Sequence, residues 1–96
     1  MRISYDDRAL SDIAKIYRWI AYERPAVAGK VVWRLYASIE RLTDFPDIGR
    51  PGKDPGTREW MVPKTPYLVV YEVFESSDEL RVLAIFHQAQ DRQSSK

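Results

Sequence analysis

Four residues in the second half of the chain carry side chains that could do acid–base or anion-binding chemistry; they are Arg58, Tyr67, Tyr71 and His87. The planar guanidinium of arginine binds phosphate or carboxylate oxygens through two parallel hydrogen bonds. The histidine imidazole, with an unperturbed pKa of about 6.5, could act as a general base. Tyrosines four residues apart on a strand share one face, where they could stack on a base. Such groups could cleave RNA through its 2′-hydroxyl without a metal, because they could move the protons and stabilise the phosphorane.

Each of these residues also has a structural interpretation. Arg58 could instead form a salt bridge to a carboxylate of Glu59, Glu72 or Asp54. His87 ends an apolar run, and a hydrogen-bonded structural histidine is the commoner occupant of a sheet end. At least one of the two tyrosines is predicted to pack in the core.

Three further cations complete the predicted target-binding set with Arg58; they are Arg50, Lys64 and Arg92. Lys64 stands in a turn between two prolines, where it should be exposed and could contact phosphate, although a solvated turn lysine is the commoner case. Arg50 follows Gly49 and could be a ligand contact or only a loop cation. Arg92 could join the histidine at one site if the tail is ordered.

Length and composition set the class of protein. The chain has 96 residues, of which 45% are hydrophobic and 30% are charged, and this balance is typical of one globular domain. We expect the domain to span residues 1–92 and to leave a loose tail at residues 93–96. The net charge of +1 predicts no polyanion partner for the molecule as a whole, so any nucleic-acid contact must come from local clusters of charge.

Residue types that are absent or rare exclude several kinds of site. The chain has no cysteine, which excludes disulfides, thiolate zinc sites and thiol nucleophiles. A single histidine excludes a multi-histidine metal site, and we predict neither a metal nor a cofactor. Residues 1–5 lack the pattern of a signal peptide, and no apolar stretch approaches ~18 residues, so the predicted location is the cytoplasm.

The N-terminal half of the chain predicts a strand followed by two helices. Ile3 and Tyr5 alternate with polar residues, as in a short strand, and Asp6 and Asp7 offer an N-cap for a helix. The apolar face of this helix is predicted to contain Leu10, Ile13, Ile16, Tyr17 and Ile20. The second helix is predicted from Pro25 to Asp44, because proline suits the first helical position. Its packing seam is predicted to contain Ala28, Val32, Leu35, Ile39 and Leu42.

The C-terminal half predicts an antiparallel meander. Apolar and β-branched residues cluster in three segments separated by turns, namely 60–62, 67–74 and 80–87. The Gly- and Pro-rich residues 45–56 are predicted to lack secondary structure, with Phe45 and Ile48 anchoring this loop on the core. The predicted fold class is therefore α+β: an N-terminal strand, an antiparallel helical hairpin and a three-stranded antiparallel meander, with the hairpin packed on one sheet.

Several motifs follow one another in a characteristic order across roughly residues 2–92. After the N-terminal strand they are Ala9-Leu10-x-Asp12-Ile13-x-x-Ile16-Tyr17-x-Trp19-Ile20, Pro25-x-x-Ala28, Leu42-x-x-Phe45-Pro46-x-x-Gly49-Arg50, Gly56-Thr57-Arg58-Glu59, Pro66-Tyr67-x-Val69-x-Tyr71 and a final apolar strand into His87. Their order and spacing resemble the RelE/ParE toxin superfamily. The resemblance implies a toxin of a bacterial type II toxin–antitoxin pair, of the plasmid-stabilisation type. It also implies a cognate antitoxin that wraps and neutralises the toxin, with operator DNA contacted only through the antitoxin.

The superfamily contains two kinds of toxin, and the resemblance alone leaves the target open. RelE-like members cut messenger RNA in the ribosomal A site, whereas ParE-like members poison DNA gyrase and perform no cleavage of their own. This chain has Glu59-Trp60-Met61 where the ribonucleases tend to show lysines, and Leu68 where they tend to show an arginine. Residues 87–92 also lack the basic run and following tyrosine usual in those nucleases.

These departures and the low net charge favour a ParE-like or uncharacterised target over a ribonuclease, since binding an RNA-walled site rewards strong positive charge. In the ribonuclease alternative, Arg58, Tyr67 and His87 would be the catalytic residues. A second alternative is an antitoxin-binding module without toxicity.

Three tryptophans are too many large aromatics for so small a core, so at least one is predicted to mark a partner surface. They are Trp19, Trp33 and Trp60. Because Trp33 adjoins the seam of the second helix, we predict that the antitoxin contacts Trp33 and Trp60.

Overall fold

The computed structural model describes residues 1–89. The candidate contact Arg92 and the predicted loose tail at residues 93–96 lie outside the described residues. The elements are β1 (Arg2–Tyr5), α1 (Asp7–Glu23), α2 (Pro25–Glu40), β2 (Arg50–Pro51), β3 (Thr57–Met61), β4 (Tyr67–Phe74) and β5 (Glu79–His87). Short 3-10 turns follow α2 at Arg41–Thr43 and β4 at Glu75–Ser77.

The two helices pack on a five-stranded sheet, which confirms the predicted α+β class. The strand order is β1-β5-β4-β3-β2. β1 runs parallel to β5, and every other neighbouring pair is antiparallel. The predicted meander is formed by β3, β4 and β5. The helical hairpin crosses over between β1 and the meander, which lets β1 return to the edge of β5.

The apolar stripe of α1 differs from its prediction by about one residue. Ala9 and Ile13 are buried, and Ile16 packs against the core, whereas Leu10 and Tyr17 are 45% and 46% exposed. Each residue turns a helix by about 100°, so a stripe that begins at Ala9 leaves the residue after it on the flank. Alanine allows the helix to approach the sheet closely and takes the place predicted for leucine.

The packing seam of α2 is confirmed. Ala28, Leu35, Ile39 and Leu42 are buried, and Val32 is partly buried against the same core. The α-helix ends at Glu40, four residues before the predicted end, and the chain tightens into the 3-10 turn that buries Leu42. The change of helix type accounts for the wrong boundary, because helical spacing continues through both segments.

The loop at residues 45–56 contains the strand β2, so the prediction that it lacks secondary structure is wrong. Arg50 pairs with Glu59, and Pro51 pairs with Arg58. Proline is tolerated there because β2 is the outermost strand and needs no further partner. The predicted anchoring of this loop by its apolar residues is also wrong, since Phe45 and Ile48 are 68% and 55% exposed.

Asp12 ties α1 to the sheet where β1 ends. β1 pairs with β5 as far as Tyr5 and Val82. Three residues further along β5, the amide of Ile85 donates a 3.0 Å hydrogen bond to Oδ2 of Asp12. Arg8 holds the same carboxylate through Nε at 3.0 and 3.1 Å. A side chain thus satisfies an edge amide that a strand would otherwise bond.

Candidate functional site

Arg58 and Tyr71 form a clamp that holds the loop at residues 46–49. Nη1 of Arg58 donates to the carbonyl oxygen of Gly49 at 2.6 Å and to that of Asp47 at 3.3 Å. Its Nη2 lies 3.5 Å from Oδ1 of Asp47. The Tyr71 hydroxyl donates to the carbonyl oxygen of Pro46 at 2.7 Å and accepts from the amide of Gly49 at 3.0 Å. We call this set of contacts the loop clamp.

The loop clamp explains the glycine of the Gly-Arg motif. Gly49 is buried, and a Cβ added to it would lie 2.7 Å from the Tyr71 hydroxyl and 3.0 Å from the carbonyl oxygen of Glu59. Burial raises the pKa of Tyr71, while the Gly49 hydrogen bond and Arg58 act to lower it. The salt-bridge partners proposed for Arg58 from sequence were wrong; the acceptor is Asp47, which the loop brings back to β3.

His87 and Tyr67 lie together at the other end of the sheet. They are partners across β4 and β5, and their rings meet edge to face at 5.5 Å between centroids. The amide of Ala89 donates to Nδ1 of His87 at 3.0 Å. Tyr67 is only 6% exposed, and burial raises its pKa. Both predicted tyrosines are therefore core residues on the helical side of the sheet, where sequence reasoning required at least one.

The structure separates the candidate catalytic residues into two places. Arg58 pairs with Tyr71 on one side of β4, and His87 pairs with Tyr67 on the other side. Four residues of strand span roughly 13 Å, and crossing from β3 to β5 adds roughly 10 Å. Arg58 is thus close to Tyr71 but far from the histidine.

Arg50 lies on the opposite face of the sheet and pairs with a buried carboxylate. Its Nη2 is 3.6 Å from Oε1 of Glu59, whose side chain is 5% exposed. The amide of Lys53 donates to the other oxygen of Glu59 at 3.3 Å. Both residues border an open cavity of about 580 Å³ that contains charges of both signs. Sequence analysis missed the burial of Glu59, although a charged residue inside an otherwise β-forming segment is a signal for it.

A second concave surface lies between the helical hairpin and the β3–β4 turn, and we call it the hairpin–turn groove. Its volume is about 300 Å³. It is lined by Trp19, Ile20, Glu23, Arg24, Val27, Val31, Arg34, Lys64, Thr65, Pro66 and Tyr67. Trp19 and Glu23 also line an adjoining cavity of about 380 Å³ with Lys15, Arg18 and Tyr22. Lys64 is exposed, as predicted, and has a positive φ of 64°.

The cations of the sheet differ from those of the groove. Within residues 1–89, ion pairs join five arginines to carboxylates, namely Arg2 and Arg81 to Glu79, Arg8 to Asp12, Arg50 to Glu59 and Arg58 to Asp47. No hydrogen bond or ion pair in the same part of the chain involves the side chains of Arg24, Arg34 or Lys64. The groove therefore presents positive charge that the described residues leave unneutralised.

The tryptophans occupy three different environments. Trp19 and Trp33 are 79% and 72% exposed on the two helices, and Trp60 packs partly against the core. Trp60 also borders a cavity of about 330 Å³ with the exposed Phe45 and Ile48. Sequence analysis did not single out Tyr22, which is 89% exposed one turn after Trp19. Its position off the stripe that begins at Ala9 is the signal that could have found it.

Two kinds of site are missing from the part of the chain that the structure describes. No group of three or more His, Cys, Asp or Glu side chains there could hold a metal ion. No helix in residues 1–89 has the length and apolarity needed to cross a membrane.

The fold and the sequence match known toxins. The model of the family described as the ParE toxin of the type II toxin–antitoxin system, parDE, matches residues 3–92. The chain is 32% identical over 89 residues to the protein named "Putative toxin Y4kP" from Sinorhizobium fredii (strain NBRC 101917 / NGR234), covering 93% of this chain and 90% of that protein. The chain therefore belongs to the ParE toxin family of type II toxin–antitoxin systems.

Solved structures share the same fold at low sequence identity. A chain of the chromosomal ParDE toxin–antitoxin system from P. aeruginosa superposes with a TM-score of 0.81 at 23% identity, covering 91% of this chain and 95% of that chain. The isolated E. coli RelE toxin gives a TM-score of 0.69 at 17% identity, covering 98% of this chain and 90% of that chain. One fold thus includes toxins named for both branches of the superfamily.

Proposed function

We propose that this ParE-family toxin acts in the bacterial cytoplasm by binding DNA gyrase, and that a cognate antitoxin neutralises it by covering its surface. Binding needs complementary surfaces rather than an assembled set of catalytic groups. The observation that carries the proposal is the condition of the residues that a ribonuclease would use. Each of them is engaged in the fold, and they lie at two ends of the sheet.

Arg58 illustrates this best. Its guanidinium is held by two backbone carbonyls and one carboxylate, and its side chain is 34% exposed. An arginine that stabilises a phosphorane must present its N–H groups to the substrate. Here the shortest of those hydrogen bonds, at 2.6 Å, fixes Gly49 instead.

Tyr67 and His87 support the same interpretation. The Tyr67 ring is almost fully buried beneath the hairpin, so a nucleotide base has no face of it to stack on. Nδ1 of His87 accepts a hydrogen bond from a backbone amide two residues on. The protein family, whose description names the parDE system, also favours the gyrase branch.

The antitoxin is the partner best supported by the relatives. The P. aeruginosa match is to a ParDE toxin–antitoxin system, and the E. coli RelE toxin has also been solved in an intact RelBE complex. Among the predicted contacts, Trp33 is exposed enough to lose a large area to a partner, and the exposed edge of Trp60 lies beside Phe45 and Ile48.

The test of the target measures which synthesis stops first. The chain is induced without antitoxin in bacterial cells, and labelled thymidine and labelled amino acid are pulsed minutes later. We expect DNA synthesis to fall early, with gyrase-dependent double-strand breaks. An immediate fall in protein synthesis with DNA synthesis spared would favour the ribonuclease instead. Unchanged growth would favour an antitoxin-binding module without toxicity.

A matched pair of variants separates the two active alternatives. His87→Ala and Arg58→Ala are expected to keep gyrase poisoning in proportion to the folded protein that remains, as measured by circular dichroism. In a ribonuclease, the same changes would abolish codon-phased cuts in translated messages while the variants still fold. Gyrase poisoning that disappears in folded His87→Ala would contradict the proposal that this residue is scaffold.

A further inference from the structure

The hairpin–turn groove has an apolar floor and cationic walls. Val27 and Val31 of α2 form the floor with Ile20 of α1, and all three are only partly buried. Arg34 stands on the helical wall, and Lys64 stands on the wall formed by the β3–β4 turn. Neither cation has a partner within residues 1–89. A ligand that fills this groove must bring apolar side chains for the floor and negative charge for both walls.

The backbone of Lys64 is a second observation at the same place. Its φ of 64° lies in the left-handed region, which costs a residue with a Cβ roughly 1–2 kcal/mol. Gly or Asn would adopt this conformation at lower cost. A lysine kept in a strained turn beside a groove fits a role for its charge, because such strain concentrates at ligand clamps.

From this geometry we propose that the hairpin–turn groove receives an acidic amphipathic segment of the antitoxin, and that Arg34 and Lys64 select it as a charge clamp from opposite walls. The inference rests on the proposed antitoxin partner and names its docking chemistry. A helix laid along α2 from Val27 to Arg34 would run for roughly 10 Å, about two turns. Its apolar side chains at i, i+3 and i+4 would cover the floor, and Asp or Glu on the flanks would reach both cations.

The aliphatic floor favours a protein segment over nucleic acid. A phosphate backbone would use the cations but would leave Ile20, Val27 and Val31 without apolar contacts. Trp19 lies at the rim, 79% exposed, where an incoming apolar side chain would bury it. Aromatic residues of this kind are frequent anchors of protein interfaces.

Titration calorimetry of the full chain with its cognate antitoxin tests the charge clamp. Arg34→Gln and Lys64→Asn are each expected to weaken binding on the order of tenfold and to reduce its dependence on salt. Asn keeps the left-handed backbone available, so Lys64→Asn removes the charge without adding strain. The matched control is Lys30→Gln, which removes one exposed cation from the same helix outside the groove and should leave binding unchanged.

Thiol labelling locates the contact independently, because the chain contains no cysteine. Val31→Cys places a thiol in the groove, and Lys30→Cys places one beside it on the exposed side of α2. Bound antitoxin is expected to slow labelling at position 31 many-fold and to leave labelling at position 30 unchanged.

The outcomes distinguish this inference from the proposed function. Antitoxin that binds Arg34→Gln and Lys64→Asn with wild-type affinity and leaves position 31 unprotected would overturn the groove assignment while the antitoxin partner stands. Antitoxin that fails to bind the wild-type chain would overturn both. Protection of position 31 by a duplex DNA oligonucleotide, lost in Arg34→Gln, would replace the proposed segment with nucleic acid.

Discussion

The loop clamp and the hairpin–turn groove stand at opposite ends of β4 and use the same residue types differently. In the clamp, Arg58 and the Tyr71 hydroxyl are fully engaged by the backbone of one loop. In the groove, Arg34 and Lys64 have no partner within residues 1–89, and the hydroxyl of Tyr67 likewise makes no hydrogen bond there. The comparison shows that residue type alone does not identify a binding site. What matters is whether the fold has already used the polar group.

The largest expected effect separates the two tyrosines. Tyr71→Phe leaves the carbonyl oxygen of Pro46 and the amide of Gly49 without their partner in a buried place, which should cost about 1–3 kcal/mol of unfolding free energy. Tyr67→Phe removes a hydroxyl that bonds nothing within the described residues and is the matched control on the same strand and face. Urea denaturation measures both. Equal losses would show that the two ends of β4 do not differ in this way.

Lys64→Asn tests the strain at the groove end and should change stability in the opposite direction. Relief of the left-handed backbone is expected to raise the unfolding free energy by about 1 kcal/mol. The same variant is expected to bind antitoxin less tightly, so stability and binding should move apart. Thermal denaturation of the free toxin gives the stability. A destabilised Lys64→Asn would mean that the lysine side chain supports the turn rather than a partner.

Sequence analysis predicted the fold class because the helical stripes and the three meander strands carry strong periodicity. Val32, Leu35 and Ile39 illustrate this, since their spacing alone places them on the packing side of α2. The candidate site was harder, because its roles depend on which groups meet in three dimensions. Asp47 lies 11 residues before Arg58, and nothing in that spacing indicates that a loop held by Tyr71 brings the two together.

The groove was missed for the same reason. Its walls come from residues 19–34 and 64–67, which are adjacent only after the hairpin folds onto the sheet. Lys64 was recognised as exposed from its two flanking prolines, but its positive φ has no signature in the identity of a lysine. The shifted stripe of α1 had a local cause that sequence could have weighed better, since Ala9 is small enough to be the closest contact.

Alkaline pH should act on both ends of β4, and more simply at Tyr67. Burial raises the pKa of Tyr67 and Tyr71 above the usual 10.0, so the folded chain keeps protons that the unfolded chain loses. Stability should therefore be present below pH 10 and should fall as pH rises through the raised values. Tyr67→Phe should flatten this fall more than Tyr71→Phe, because Gly49 and Arg58 already counteract the shift at Tyr71. Urea midpoints measured at pH 9 and pH 11 would show the reverse order if the groove end were the better solvated.

The smallest expected effect concerns what holds the clamp closed. Asp47→Asn removes the charge that faces Arg58 across 3.5 Å, but the Asp47 side chain is 83% exposed, and a surface ion pair of this kind contributes about 0–1 kcal/mol. The hydrogen bonds from Arg58 to the carbonyls of Gly49 and Asp47 remain in this variant. We therefore expect Asp47→Asn to unfold within about 1 kcal/mol of the wild type, and Arg58→Gln to lose more because it gives up the backbone contacts as well. If Asp47→Asn lost as much stability as Arg58→Gln, the ion pair would hold the loop. The clamp would then weaken at high salt, which the backbone hydrogen bonds by themselves do not predict.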